Sequence, residues 1–217
     1  MAKREYTVIL ADLVQSRAVQ ERRRAKRRID NVLRSVSRHF INRAGSDLFI
    51  VAPVLTRGMD EMSAVLSSPS GSFEVCRHIN FQLFPLKFRF ALVRDAIDIG
   101  LKTGDASKMD GPAFHRAARG IEHLRKTDET YFFGFHGEQG YDLWMNRISN
   151  LAQAIVDKWS HRQTEAVILL EELGKQRDVA DHLGISAQAV SERVRAADWN
   201  QVRSAFELVD RHLIELT

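Results

Sequence analysis

Carboxylates occur at two places where predicted strands end. Asp12 follows the apolar run 6–11, while Asp60 and Glu61 lie at the tip of a predicted hairpin between strands at 48–55 and 62–67. Two carboxylates at adjacent strand ends make an oxygen-rich site, which suits Mg²⁺. Asp12, Asp60 and Glu61 are therefore candidate metal ligands, although an aspartate at a strand end is also a common turn residue.

Groups that could bind phosphate lie nearby in the predicted fold. Arg119 belongs to a predicted helix that opens at Gly111, and a guanidinium can neutralise a phosphate by a bidentate contact. Ser16 and Arg17 follow the first predicted strand, where backbone donors at the start of a helix could cradle phosphates. The alternative is that Arg119 is a solvated helix residue and that Ser16 and Arg17 form a turn.

A second pattern lies towards the C-terminus, where helices are predicted over 163–173, 176–183 and 186–197. Ala180 stands four residues before Gly184, and Val190 stands six residues after it. A small residue lets two helices approach closely, and a glycine supplies the backbone of a sharp turn. The spacing predicts a helix-turn-helix whose last helix, the one predicted over 186–197, enters the major groove of double-stranded DNA. An ordinary helical hairpin is the alternative.

The predicted recognition helix offers side chains that suit base edges. Glutamine pairs with adenine, arginine with guanine or phosphate, and alanine contacts the thymine methyl. Glu192 would either accept from cytosine or repel DNA locally. The candidate DNA-binding residues are Ser186, Ala187, Gln188, Ser191, Glu192, Arg193 and Arg195. Each of them could also belong to a solvated helix face.

Charge is distributed unevenly along the chain, whose formal net charge is +4. Residues 1–45 carry 12 Lys and Arg against 4 Asp and Glu, whereas residues 159–200 carry 5 against 7. Because phosphate neutralisation drives DNA affinity, an acidic recognition segment needs support, and a homodimer would double its phosphate contacts. The basic run 22–28 is typical of a solvated helix face; a supplementary DNA contact or an anionic partner is the alternative.

The remaining elements predict an α+β fold. Strands and helices alternate as strand–helix–strand–strand–helix–strand up to residue 92, with a further helix from 111 to 126 and a strand at 131–135. That order is typical of a ferredoxin-like domain. We predict this domain over residues 1–136, a connecting helix over 137–159, and an all-α helix-turn-helix domain over 160–217.

Composition and sequence pattern indicate the cellular compartment in which the protein is expected. No stretch approaches the roughly 18 apolar residues of a membrane helix, and the N-terminus shows no signal-peptide pattern. The single Cys76 allows no internal disulfide, which fits a reducing compartment. The expected location is the cytoplasm, with no membrane partner.

Several motifs together resemble the SatD family. They are ADLVQSR at 11–17, the hairpin that ends in Asp60-Glu61, the segment MDGPAFHRA at 109–117 and the C-terminal helix-turn-helix. The resemblance covers nearly the whole chain.

The N-terminal part also resembles a diverged class III nucleotidyl cyclase domain. In that family one Asp after the first strand and another in the hairpin bind two divalent cations, which carry a nucleoside triphosphate. Asp12 matches the first position and Asp60 the second, but the usual Gly-Asp pair is interrupted here. Residues 111–119 resemble the cyclase motif Gly-x-x-Val-Asn-x-Ala-Ser-Arg: Arg119 is present, and His115 replaces the asparagine. The resemblance implies Mg²⁺ with a nucleotide, and the departures favour binding without turnover.

The sequence thus predicts a DNA-binding transcription regulator. Its cyclase-like N-terminal domain would bind a nucleotide ligand or mediate dimerisation. The alternative is an enzyme that cyclises or transfers nucleotides with a two-carboxylate metal site and uses the helix-turn-helix for docking. A third possibility is an assembly protein that uses both domains only for contacts.

Overall fold

The structure, a computed structural model, describes residues 4–16, 19–135 and 141–217. Within these ranges the chain is a mixed α and β protein with a five-stranded sheet and eight α-helices. The strands are β1 Glu5–Leu13, β2 Phe49–Arg57, β3 Glu61–Leu66, β4 Phe88–Ala96 and β5 Tyr131–Gly134. The helices are α1 Arg22–Ala44, α2 Ser72–Leu83, α3 Pro112–Thr127, α4 Tyr141–Val156, α5 His161–Leu173, α6 Gln176–Leu183, α7 Ala187–Ala196 and α8 Trp199–Glu215.

The predicted alternation of strands and helices is confirmed from β1 to β5. The strand order in the sheet is β2-β3-β1-β4-β5; β1 pairs antiparallel with β3 and β4, and β5 pairs parallel with β4. β1 is central and runs two residues past its predicted end, so that Asp12 lies inside the strand opposite Glu61. The hairpin tip between β2 and β3 is shorter than predicted, since β2 continues to Arg57.

The sheet is covered on both faces. On β5, Tyr131 and Phe133 pack edge-on against Phe73 of α2, with ring centroids 5.0 and 5.3 Å apart. Phe132 points to the other face and joins a core that includes Val8 of β1 and residues of α3. Alternate residues of a strand point to opposite faces, so α2 and α3 lie on opposite sides of the sheet.

Helix α3 approaches the sheet closely at Gly120. A Cβ atom there would lie 2.6 Å from Cδ1 of Phe132 and 2.9 Å from Cβ of Ala91. Such distances are shorter than van der Waals contact, so only glycine fits between this helix and the strands. The close approach fixes α3 over β4 and β5.

The chain divides into two compact units. The first comprises residues 1–146 together with 210–217, and the second comprises residues 147–209. The boundaries fall inside α4 and α8. The predicted limits at 136 and 160 differ from this division and remain predictions; α4 lies within the predicted connecting helix.

The second unit is helical, and its first complete helix, α5, is capped at both ends. Ser160 and Gln163 form a capping box at the start of α5, and Gly174 ends that helix with φ +77°. Val167 of α5 is fully buried, whereas Leu173, the last residue of the helix, is 40% exposed. Among the described residues, none of the helices has the length and apolar character needed to cross a membrane.

Candidate functional site

Asp12 lies on the α3 side of the sheet and is held by arginines. The Arg125 side chain of α3 donates to both carboxylate oxygens, with Nη2 2.6 Å from Oδ1 and Nε 3.1 Å from Oδ2. Arg89 of β4 approaches the same carboxylate at 3.8 Å. The Asp12 side chain is only 13% exposed. Its charge is therefore met by guanidinium groups of the chain itself.

A cavity of about 200 Å³ opens beside this pair. Glu61 lines it from β3, directly across from Asp12 in the strand pairing, and Glu122 and Arg125 line it from α3. Thr56 and Ser63 add hydroxyl groups, whose oxygens lie 3.4 Å apart. The cavity thus presents three carboxylates and one guanidinium.

The electrostatics of the cavity are visible in Arg125. The hydrogen bonds to Asp12 raise the pKa of the Arg125 guanidinium above its usual value; burial opposes this, and the charges of Asp12, Glu61 and Glu122 add to the increase. Arg125 is therefore held as a fixed positive charge among carboxylates.

Asp60, the other carboxylate that the cyclase resemblance points to, has a different partner. Its backbone oxygen accepts from the Leu13 N–H at 2.8 Å, while its side chain faces Nη2 of Arg22 at 3.4 Å. Asp60 does not line the cavity that contains Asp12 and Glu61.

The candidate metal ligands do not fit a divalent cation in this arrangement. Both aspartates are engaged by arginines, and in the described part of the chain no three His, Cys, Asp or Glu side chains are grouped to hold a metal ion. A guanidinium beside a carboxylate repels a second cation. The donor set therefore matches an internal ion pair better than a Mg²⁺ site.

The candidate nucleotide-binding residues are dispersed. His115 contacts Asp110, with Nε2 2.7 Å from Oδ1, and Arg119 is exposed on α3 outside the cavity lining. Ser16 accepts from Arg22 through its backbone oxygen. Because α1 begins only at Arg22, its free N–H groups do not belong to Ser16. Arg17 lies outside the described residues.

Sequence reasoning missed Arg125, Arg89 and Glu122. No spacing rule links them to Asp12, because Arg125 and Arg89 reach its carboxylate, and Glu122 reaches the cavity, only through the packing of α3 and β4 on β1. The one usable signal was helical: Arg125 lies four residues after Ile121, which faces the core, so it falls at the edge of the buried face of α3.

The second candidate site is the α6–α7 pair. Gly184 adopts φ +64°, and Ser186 caps α7 by accepting from the Ala189 N–H at 3.1 Å. Ala180, Val190 and Val194 are buried between the helices. The predicted sharp turn at Gly184 is thus confirmed.

The outward face of α7 carries most of the candidate DNA-binding residues. Exposed there are Ser186, Ala187, Gln188, Ser191, Glu192 and Arg195. Arg193 is largely covered, and its Nη1 lies 3.8 Å from a carboxylate oxygen of Glu165 in α5. Gln188 donates to Glu192 at 3.2 Å. Arg195 also lines a polar groove of about 310 Å³ together with Ser191, Gln176 and Arg203.

Both sites fall within one family match. The sequence model of the SatD family matches residues 6–203. The chain belongs to the SatD family. The match covers β1 with Asp12, the hairpin, α3 and the α6–α7 pair of this SatD-family protein. A search of curated proteins found no match.

Proposed function

We propose that this SatD-family protein is a cytoplasmic transcription regulator that binds double-stranded DNA as a homodimer. Helices α6 and α7 act as a helix-turn-helix, and α7 is the recognition helix. The N-terminal unit is a ferredoxin-like, cyclase-related domain that mediates dimerisation or binds a nucleotide ligand. The strand order β4-β1-β3-β2 with antiparallel pairing supports the ferredoxin-like assignment.

The observation that carries the proposal is the exposed face of α7. Its first residues, Ser186 to Gln188, stand at the N-terminal end of the helix, the part that contacts base edges in helix-turn-helix proteins. Gln188 in the first turn and Arg195 in the last turn of α7 are exposed, while Val190 and Val194 are buried on the opposite side of the helix. A helix with this division between buried and polar faces can enter a major groove without unfolding.

Charge supports a dimer. Residues 159–200 carry more acidic than basic side chains, so one copy neutralises few phosphates. Two copies related by a twofold axis place two recognition helices about 34 Å apart along DNA. The expected target is therefore a palindromic site with half-sites one helical turn apart.

A selection from fragmented genomic DNA, followed by mobility-shift assays, tests the proposal. Gln188→Ala and Arg195→Ala should each weaken binding to the selected site, since a good base contact contributes about 1–3 kcal/mol to the binding free energy. Arg162→Ala is the matched control for charge, because Arg162 is exposed on α5 outside the recognition helix. Equal binding by all variants, or no selected site, would contradict the proposal.

The second candidate function is nucleotide cyclisation or transfer. Asp12 and Glu61 favour it, because they oppose each other across β1 and β3 over a cavity. The arginine partners of Asp12 and Asp60 count against it. Incubation with each nucleoside triphosphate and Mg²⁺ or Mn²⁺ tests it: product that disappears in Asp12→Ala would support the enzyme, and absence of product would exclude it.

A further inference from the structure

Helix α1 carries an unusual concentration of positive charge. Its 23 residues include nine Lys and Arg and a single acid, Asp30. Most of these cations are satisfied within the first unit: Arg22 by Asp60, Arg24 by Glu21, Lys26 by Asp30, Arg28 by the carbonyls of Gln82 and Phe84, and Arg43 by Glu74. The other four form the feature of interest.

These four exposed arginines, the arginine stripe, are Arg23, Arg27, Arg34 and Arg38. Successive helix residues are about 100° apart, so the four side chains leave the helix within about 60° of one another. Within the described ranges no acidic side chain pairs with any of them; Arg34 bonds only the amide oxygen of Asn31. The stripe is about 22 Å long at 1.5 Å per residue.

The stripe is unfavourable for the helix itself. Arg23 and Arg27 are four residues apart, as are Arg34 and Arg38, and like charges at that spacing repel. The first turn of α1 contains no acidic residue, so Arg22 and Arg23 also face the positive end of the helix dipole. A local pattern that opposes folding, with no acidic partner for the four stripe arginines within the described ranges, indicates a role outside the fold.

The chemistry of the stripe selects a phosphate backbone. Guanidinium groups bind phosphate oxygens bidentately and cannot lose their charge. DNA carries one phosphate charge per about 1.7 Å of its axis when both strands are counted, so a 22 Å length of duplex contains about a dozen phosphates. A membrane-binding helix would also expose apolar residues for insertion, but Ile29, Leu33 and Phe40 of α1 are buried in the core.

We propose that the arginine stripe of α1 binds the phosphate backbone of double-stranded DNA. It supplies the positive charge that residues 159–200 lack, and so it rests on, and extends, the proposed DNA-binding function. The stripe contributes affinity without sequence preference, whereas α7 contributes the preference.

The test measures binding of the full chain to a mixed-sequence DNA duplex at several salt concentrations. The stripe variant is Arg27→Ala with Arg38→Ala. The control is Arg24→Ala with Lys26→Ala, which removes the same charge from the same helix but from side chains paired with Glu21 and Asp30. All four positions are exposed, and alanine favours helix, so folding is retained and is checked by circular dichroism.

The stripe variant should lose two phosphate contacts. The slope of log affinity against log salt is negative, and its magnitude should become smaller by about 1.8. This change corresponds to a loss of DNA affinity of up to about 60-fold near 0.1 M salt. The control should keep the slope of the unaltered chain. Equal slopes for the two double variants would overturn the proposal, as would stripe-dependent binding to anionic vesicles without binding to DNA.

The outcomes separate the two proposals. Gln188→Ala removes no charge and should keep the slope on mixed-sequence DNA while losing preference for a selected site. A stripe-dependent slope without any selected site would contradict the regulator but not the stripe. If the protein selects a specific DNA site but the stripe variant keeps the unaltered salt slope, only the proposal for the arginine stripe is contradicted. If the chain binds no DNA at all, both proposals are contradicted.

Discussion

Asp12 illustrates how a single residue changes the chemistry of a site. The carboxylate lies where a metal ligand is expected, yet Arg125 donates to both of its oxygens and Arg89 lies close by. A guanidinium is permanently charged, so the positive charge beside Asp12 does not depend on whether a metal is bound. The cavity is therefore organised around an ion pair.

Removing that guanidinium should create a cation site. In Arg125→Ala, Asp12 and Glu61 would face each other across β1 and β3 with the hydroxyls of Thr56 and Ser63 nearby. We expect this variant to bind Mn²⁺ in titrations followed by electron paramagnetic resonance, and the unaltered chain not to bind it there.

Arg119→Ala is the matched control, because Arg119 is exposed on the same helix but does not line the cavity. Adding Asp12→Asn to Arg125→Ala should abolish the new binding. Mn²⁺ binding by the unaltered chain that depends on Asp12 would show that Arg125 does not exclude cations, and it would strengthen the enzymatic alternative.

A second ion pair joins α2 to the end of α8 within the first unit. Nη2 of Arg77 lies 2.6 Å from Oδ2 of Asp210, and both side chains are largely buried. Burial raises the pKa of the Asp210 carboxyl, and the charge and hydrogen bond of Arg77 oppose that increase. The buried carboxylate of Asp210 is therefore stabilised in its charged form by the guanidinium of Arg77.

Arg77→Met should therefore destabilise the chain by about 3–5 kcal/mol at neutral pH, because it leaves a buried carboxylate unpaired. Without Arg77 the pKa of Asp210 in the folded chain rises further. A carboxyl with a raised folded pKa gives stability that is present below its unfolded pKa and is lost as pH rises through the folded value. The deficit relative to the unaltered chain should thus shrink as pH falls towards 3.8, the ordinary value for aspartate.

Urea unfolding of both chains at several pH values measures this difference. Arg24→Met serves as the comparison, since the pair of Arg24 with Glu21 is exposed and exposed pairs contribute about 0–1 kcal/mol. A deficit in Arg77→Met that stays constant with pH would contradict the assignment to Asp210.

At the scale of elements, the turn between α6 and α7 depends on backbone conformation alone. Gly184 has φ +64°, and a Cβ atom there would meet no heavy atom within 4 Å. Gly184→Ala should cost about 1–2 kcal/mol, the penalty of the left-handed region for an alanine. Gly184→Asn should cost less, because asparagine tolerates that region, and Gly184→Val should cost more.

Thermal unfolding of the three variants gives the order directly, and DNA binding should follow the same order. If Asn and Val were equally destabilising, a steric clash rather than backbone conformation would be responsible. That result would contradict the geometry of the turn.

The elements were largely predictable because their signals are local. The spacing around Gly184 and the apolar run that begins β1 each depend on neighbours within a few residues. The start of α1 was not predictable to the residue, because the helix begins at Arg22 after Glu21 in a left-handed conformation. Propensity does not specify such a start.

The candidate sites were less predictable because they depend on tertiary packing. The sequence marks Asp12, Asp60 and Arg119 but cannot show that Arg125 reaches Asp12 across 113 positions of chain. It also cannot show that Arg193, one of the candidate DNA-binding residues, lies beside Glu165. Partners distant in sequence decide which charged residues remain available.

At the scale of the whole molecule, the last eight residues belong to the first unit although they follow the second in sequence. Asp210 pairs with Arg77, the backbone oxygen of Leu216 accepts from Arg94, and His212 packs edge-on against Trp144 at 5.3 Å. The end of α8 therefore completes the packing of a unit that begins at β1.

Ending the chain after Val209 should loosen the first unit selectively. Hydrogen exchange should become faster in peptides from α2 and β4, because they lose the contacts to Asp210 and Leu216. Peptides from α6 and α7 should keep their protection, because the core residues Val190 and Val194 remain in place. Faster exchange in both units, or in neither, would contradict this division.

The discontinuous first unit also has a consequence for biosynthesis. A ribosome delivers β1 to β5 first, then the whole of the second unit, and only afterwards residues 210–217. Until then Arg77 lacks the carboxylate of Asp210, and Trp144 lacks its ring contact with His212. The nascent chain thus carries an incomplete first unit while α6 and α7 are already complete, and exposed apolar surface in that interval favours aggregation unless chaperones cover it.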